Sequence, residues 1–141
     1  MPKRSAGLVV WRKREELEVL LVHPGGPFFR FRDEGVWSIP KGEHEPDENA
    51  FEEACREFAE ETGWTPPAGE YRFLGEIRQK SGKIVTAWAV EADFDPATLH
   101  SNLTAQGWPE CDRAAWMPLD DARRRVTRGQ DQLLLRLALL P

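Results

Sequence analysis

The chain has 141 residues, 40% hydrophobic and 30% charged, enough to bury one core without disulfides or a structural metal. Its net charge of -5 argues against a nonspecific nucleic-acid binder, which needs a basic surface, but not against a small polyphosphate held through a cation. No run reaches the roughly 18 apolar residues that cross a bilayer, and no apolar signal region follows Met1-Pro2-Lys3-Arg4-Ser5, so a cytoplasmic protein is expected.

No repeat, low-complexity tract or Pro/Ser-rich linker divides the chain, and a single domain over 1–141 is expected. Residues 5–12 (SAGLVVWR) and 17–23 (LEVLLVH) read as two strands around a polar turn at 13–16. Residues 24–35 are a loop punctuated by Gly and Pro. A short strand at 36–39 then leads into Pro40-Lys41-Gly42. Residues 48–62 form the clearest helix, with Pro46-Asp47 at its start and Gly63 at its end. Residues 71–80 and 84–93 read as a strand pair about Ser81-Gly82, and 113–118 as another strand. Helices follow at 119–126 and 131–140. The second is so rich in Leu that it either packs deeply or offers a homodimer surface. Strands on both sides of a helix suggest a mixed sheet with helices on two faces.

The two cysteines have no zinc spacing, and Cys55 lies on the apolar face of the first helix, which reads as a buried thiol. That face holds Phe51, Ala54, Cys55, Phe58 and Thr62. Glu57, Glu60 and Glu61 gather on another side with Glu53 beside them, and only Arg56 interleaves. Like charges at such spacings cost an isolated helix roughly 0.2–0.5 kcal/mol per pair. A hard divalent cation would offset that cost, since Mg2+ or Mn2+ takes carboxylate oxygens. A solvated acidic face is the plainer reading of the glutamates alone.

The flanking residues decide between the two. Gly42, five residues, Glu48, seven residues, then Arg56-Glu57-Phe58-Ala59-Glu60-Glu61-Thr62-Gly63-Trp64 resembles the Nudix box at every defining position. Seven such identities arise by chance about once in 10⁸ start positions at ordinary residue frequencies. Ser5-Ala6-Gly7 and Trp37-Ser38-Ile39-Pro40-Lys41-Gly42 extend the resemblance over residues 5–64.

The resemblance implies an α/β/α sandwich with a central mixed sheet, and a Mg2+-dependent pyrophosphohydrolase in which Mn2+ can substitute. Carried over by position, Glu57, Glu60 and Glu61 bind the cation with the Lys41 carbonyl. Arg56 and Glu48 orient the carboxylates, and Gly42 and Gly63 make the turns at either end of the motif. Glu57 can be ligand and base together, with Glu110 as a second candidate base. Trp37-x-x-Pro-Lys-Gly is similar to the entry in dinucleoside polyphosphate hydrolases of the family, which points to diadenosine tetraphosphate or nucleoside triphosphates.

Outside the motif, Phe28, Phe29 and Phe31 with Arg30 and Arg32 form either a platform for base and phosphate or a plug under the loop. Arg78, Lys80 and Lys83 either grip a polyphosphate or decorate a hairpin tip. Lys41 can also reach phosphate. Trp11, Trp88, Trp108 and Trp116 read as packing residues, and His23, His44 and His100 share no spacing. Two other functions compete. An RNA 5′-end pyrophosphohydrolase would need a basic channel, which an acidic chain lacks. A non-catalytic nucleotide-binding regulator would usually lack box glutamates, and all are present here.

Overall fold

The computed structural model describes residues 2–141. The strands are β1 (Arg4–Lys13), β2 (Leu17–Pro24), β3 (Lys41–His44), β4 (Arg72–Arg78), β5 (Ile84–Glu91) and β6 (Cys111–Pro118). The helices are α1 (Ala50–Thr62), α2 (Leu119–Arg125) and α3 (Asp131–Ala138). The strands run in the order β4-β5-β1-β2-β6, with β3 also paired to β1. Only β1 and β5 are parallel; the other pairs are antiparallel.

Alternation along the strands sorts side chains to two faces. Ala6, Leu8 and Val10 of β1 meet Ala54 and Phe58 of α1 on one face. On the other, Val9, Val19 and Leu21 meet Ala122 of α2 and Leu133, Leu134 and Leu137 of α3. The expected α/β/α sandwich is therefore present. Three of the α3 leucines cover the sheet, while Leu135 and Leu139 face outward.

One edge of β1 is shared between two partners. Residues Arg4–Gly7 pair with β3, and Trp11–Lys13 pair with β2. Between them Leu8 N–H donates to the Pro40 carbonyl (3.1 Å). At the fork, a Cβ on Gly7 would stand 2.5 Å from that same carbonyl oxygen, so the crossing chain depends on the missing side chain.

Several boundaries depart from the sequence reading, most by a residue or two, and three of the departures bear on the site. The strand expected at 36–39 reduces to single bridges, Val22 to Ser38 and Trp37 to Val126, and the true strand begins at Lys41. Its strand character comes from pairing with β1, which local sequence does not encode. Helix α1 begins two residues later than expected, capped by Asn49, whose Oδ1 accepts from Glu52 N–H (3.0 Å). Pro46 and Asp47 lie instead in a turn where Glu48 N–H donates to the Glu45 carbonyl (3.1 Å). Strand β6 begins at Cys111, two residues earlier than expected. Among the described residues, no helix is long and apolar enough to cross a membrane.

Candidate active site

Helix α1 aims its glutamates at the start of β3. Gly63 closes the helix in the left-handed conformation (φ 77°), and its N–H donates to Ala59 O (2.8 Å). The orphan carbonyls of the last turn then recruit a distant segment. His100 N–H donates to Thr62 O (2.9 Å) and Asn102 N–H to Glu60 O (3.0 Å). Glu110 N–H in turn donates to Asn102 O (2.8 Å). This backbone ladder brings Glu110 beside α1, and a Cβ on Gly63 would break into it, lying 2.5 Å from His100 O.

Glu61 Oε1 accepts from the Lys41 N–H (3.0 Å). Burial pushes the Glu61 carboxyl up to about 8, with Glu110 and Glu57 adding to the rise and Lys41 opposing it. Burial also raises Glu57, with help from Glu60 and Glu110 against the opposing Arg56, and raises Glu110, with help from Glu60. The Lys41 ammonium is pushed down by burial and by nearby Lys83. Cys111 adds a buried thiol to this group, raised by burial and by Glu61 and Glu110.

Gly42 is a strand residue here and not a turn residue. An added Cβ would lie 2.0 Å from Glu57 Cδ, so its function is to leave room for that carboxylate. Arg56 links three glutamates: Nε donates to Glu53 (2.9 Å), Nη1 to Glu60 (2.7 Å) and Nη2 to Glu57 (3.1 Å). Glu48 Oε1 accepts from Glu45 N–H (2.7 Å) and closes the turn before α1, and its side chain also lies against Glu53.

A cavity of about 420 Å³ opens beside these groups. Lys41, Glu61, Glu110 and Cys111 line one part, and Phe29 and Gln79 are also in its wall. Of the residues expected to bind substrate, Lys41 and Phe29 are thus brought together. Arg30 and Arg32 are absent from the wall; their guanidinium groups sit over Phe31 (5.3 Å) and Phe28 (4.3 Å). Phe28 and Phe31 are exposed, which removes the plug reading for both. Lys83 is also outside the wall and pairs with Glu43 (2.9 Å).

His23 and Trp37, to which the sequence gives no structural task, hold the loop beside this wall. His23 is fully buried; its Nε2 donates to the Arg32 carbonyl (2.6 Å) and its Nδ1 lies 2.9 Å from Asp112 Oδ1. It thereby ties the aromatic loop to β2 and β6. Trp37 packs edge-on against His23 and donates Nε1–H to Asp33 (2.9 Å). A lone apolar-flanked histidine gives no sequence signal for such a tie.

The donor set suits a hard cation. It consists of carboxylate oxygens, their charges raise one another's pKa, and the Gly42 cradle accommodates the Glu57 head group. As they stand, no three His, Cys, Asp or Glu side chains converge on one point among the described residues, and Arg56 engages Glu57 and Glu60. A cation at these carboxylates would compete with Arg56 for Glu57 and Glu60.

Residues 1–137 match the model of the NUDIX domain. The chain is 31% identical to the 8-oxo-(d)GTP phosphatase of Mycolicibacterium smegmatis, across 94% of this chain and 40% of that protein. It thus spans well under half of that relative's length. It is 29% identical to the asymmetrical bis(5′-nucleosyl)-tetraphosphatase of Rattus norvegicus, covering 86% of this chain and 83% of that one. A C. elegans Ap4A hydrolase binary complex shares the fold with a TM-score of 0.68 and 23% identity, over 96% of this chain and 95% of that one. So does the NUDIX domain of Shewanella oneidensis NrtR complexed with ADP ribose, with a TM-score of 0.68 and 19% identity, over 98% and 87%.

Proposed function

The chain belongs to the Nudix family, and from that premise we propose that it is a Mg2+-dependent pyrophosphohydrolase of small nucleotides, with dinucleoside polyphosphates such as diadenosine tetraphosphate or nucleoside triphosphates as the leading substrates. One observation carries this reading: Glu61, Glu110 and Lys41 share the wall of a single cavity with Phe29. A polyphosphate needs the first group and a base needs the second. The volume takes one nucleoside with its phosphates, so the second half of a dinucleoside substrate lies outside.

Glu57, Glu60 and Glu61 hold the cation, with the Lys41 carbonyl as a further ligand; Mn2+ can replace Mg2+. When bound, the metal neutralises the anhydride oxygens and lowers the pKa of water at the site. Glu57 and Glu110 are the candidate proton acceptors, and their raised pKa values move them toward the working range of a general base. Lys41 offers its ammonium to a phosphate oxygen. Arg56 keeps the carboxylates that would hold the metal in a defined arrangement.

The test is product analysis with Mg2+ and a panel of dinucleoside polyphosphates and nucleoside triphosphates, with Glu60→Gln in parallel. Metal-dependent cleavage of one class, reduced on the order of 10²-fold or more in the variant, supports the proposal. Metal binding without turnover of any nucleotide would favour a nucleotide-binding regulator.

A further inference from the structure

Gln130 is fully buried just before α3, and its amide is oriented by backbone on one side. Ile39 N–H donates to Gln130 Oε1 (3.0 Å), which fixes the other end as the NH2 group. Ser38 Oγ–H donates to the Ile39 carbonyl (2.7 Å), so Ser38 Oγ accepts from Gln130 Nε2 (3.0 Å). The second Gln130 N–H donates to Gln79 Oε1 (2.9 Å). Every direction in this chain follows from the two backbone groups of Ile39.

The consequence falls on Gln79, which is 8% exposed and part of the cavity wall. With its oxygen committed inward, its free end is an NH2 group with no protein partner among the described residues. Phe29 and Val36 supply apolar surface in the same wall. A base lying there meets a donor that cannot reverse without breaking the chain back to Ile39.

We propose that Gln79 selects the base, favouring a 6-oxopurine of the guanine type over adenine. A guanine-type edge offers two adjacent acceptors, O6 and N7, to an NH2 group. Adenine offers N7 beside an amino group, which sets donor against donor and leaves a largely buried N–H unpaired. The assignment rests on the nucleotide reading above and narrows it to guanine-type members of the same substrate classes, ranking them ahead of diadenosine tetraphosphate.

The test is equilibrium binding of the α,β-methylene analogues of GTP and ATP by calorimetry in Mg2+, which needs no turnover. Wild type should bind the GTP analogue about five- to 100-fold more tightly. Gln79→Met should bring the ratio to within twofold. Gln79→Glu presents an acceptor in place of the donor and should move the ratio toward adenine. Gln130→Met should also bring the ratio to within twofold without altering any residue of the cavity wall, because it removes the N–H that holds the Gln79 oxygen inward and lets that amide present either end. Should Gln130→Met fail to fold, the two Gln79 variants decide the matter. Equal binding of the two analogues by wild type, or a ratio unmoved in Gln79→Met, overturns the assignment. A base preference without hydrolysis of any nucleotide would overturn the hydrolase reading alone, and hydrolysis without a preference would overturn the base assignment alone. Failure to bind either analogue would overturn both.

Discussion

Gly42 shows how much one missing atom can decide. The box glycine is expected to make a turn, yet it lies in β3 and serves to admit the Glu57 carboxylate. Gly42→Ala should therefore fold, at a cost of roughly 1 kcal/mol, because the clash falls on the flexible end of the Glu57 side chain and not on backbone. It should also lose activity on the order of 10²-fold, because Glu57 is displaced from its place by about an ångström. Thermal unfolding and kcat measured side by side would separate the two effects. Glu61 makes a second prediction. Its carboxyl ionises near 4.5 in the unfolded chain and at about 8 in the fold, so between those values the folded state keeps a proton that the unfolded chain has released. Its contribution is full below about 4.5 and is lost as pH rises through about 8. Urea midpoints taken in EDTA should fall across that window, and Glu61→Gln should flatten most of the fall. Neither property is readable from the order of residues. Both depend on what α1 and β3 bring within reach of each other.

At the scale of elements, what is legible in the sequence is local. The amphipathic spacing of α1 and the glycine at its end are visible because both act within a few residues. Its start is less so, since Asn49 and Pro46-Asp47 offer competing signals and the turn closed by Glu48 decides between them. Asn49→Ala should cost about 1 kcal/mol, lowering Tm by a few degrees, with kcat unchanged within twofold because α1 remains docked on β1. A scanning calorimetry trace and an activity assay suffice. Strand β3 was hidden because Lys41-Gly42-Glu43-His44 has no strand pattern and becomes one only by pairing with β1. The motif glutamates were legible as a constellation, whereas Gln79 and Gln130 were not, since hydrogen-bond direction exists only once Ile39, Ser38 and both amides are assembled.

The molecule as a whole is a sheet with a chemical corner, and its long loop is fastened at both ends. Gly25 N–H donates to Glu110 O (2.9 Å), and His23 carries the Arg32 carbonyl. His23→Phe keeps the ring contact with Trp37 but leaves that carbonyl without its partner and Asp112 with Arg113 alone (3.7 Å). It should cost about 1–3 kcal/mol and free the segment bearing Phe29. KM should then rise severalfold while kcat stays within twofold, and a steady-state series would read both. An equal fall in kcat would instead mean that the disturbance reaches the glutamates.

The forked edge of β1 has a further consequence. The strand that anchors the glutamates through β3 and the strand that carries the aromatic loop through β2 are fastened to different stretches of one backbone. Lengthening or shortening residues 24–36 leaves the register of β1 with β3 untouched, and loop closure makes such changes thermodynamically mild. The loop that carries Phe29 can be exchanged like a tool head while the reactive half keeps its grip, so a graft of this loop from a relative should change KM while leaving both kcat and the base preference set at Gln79 in place.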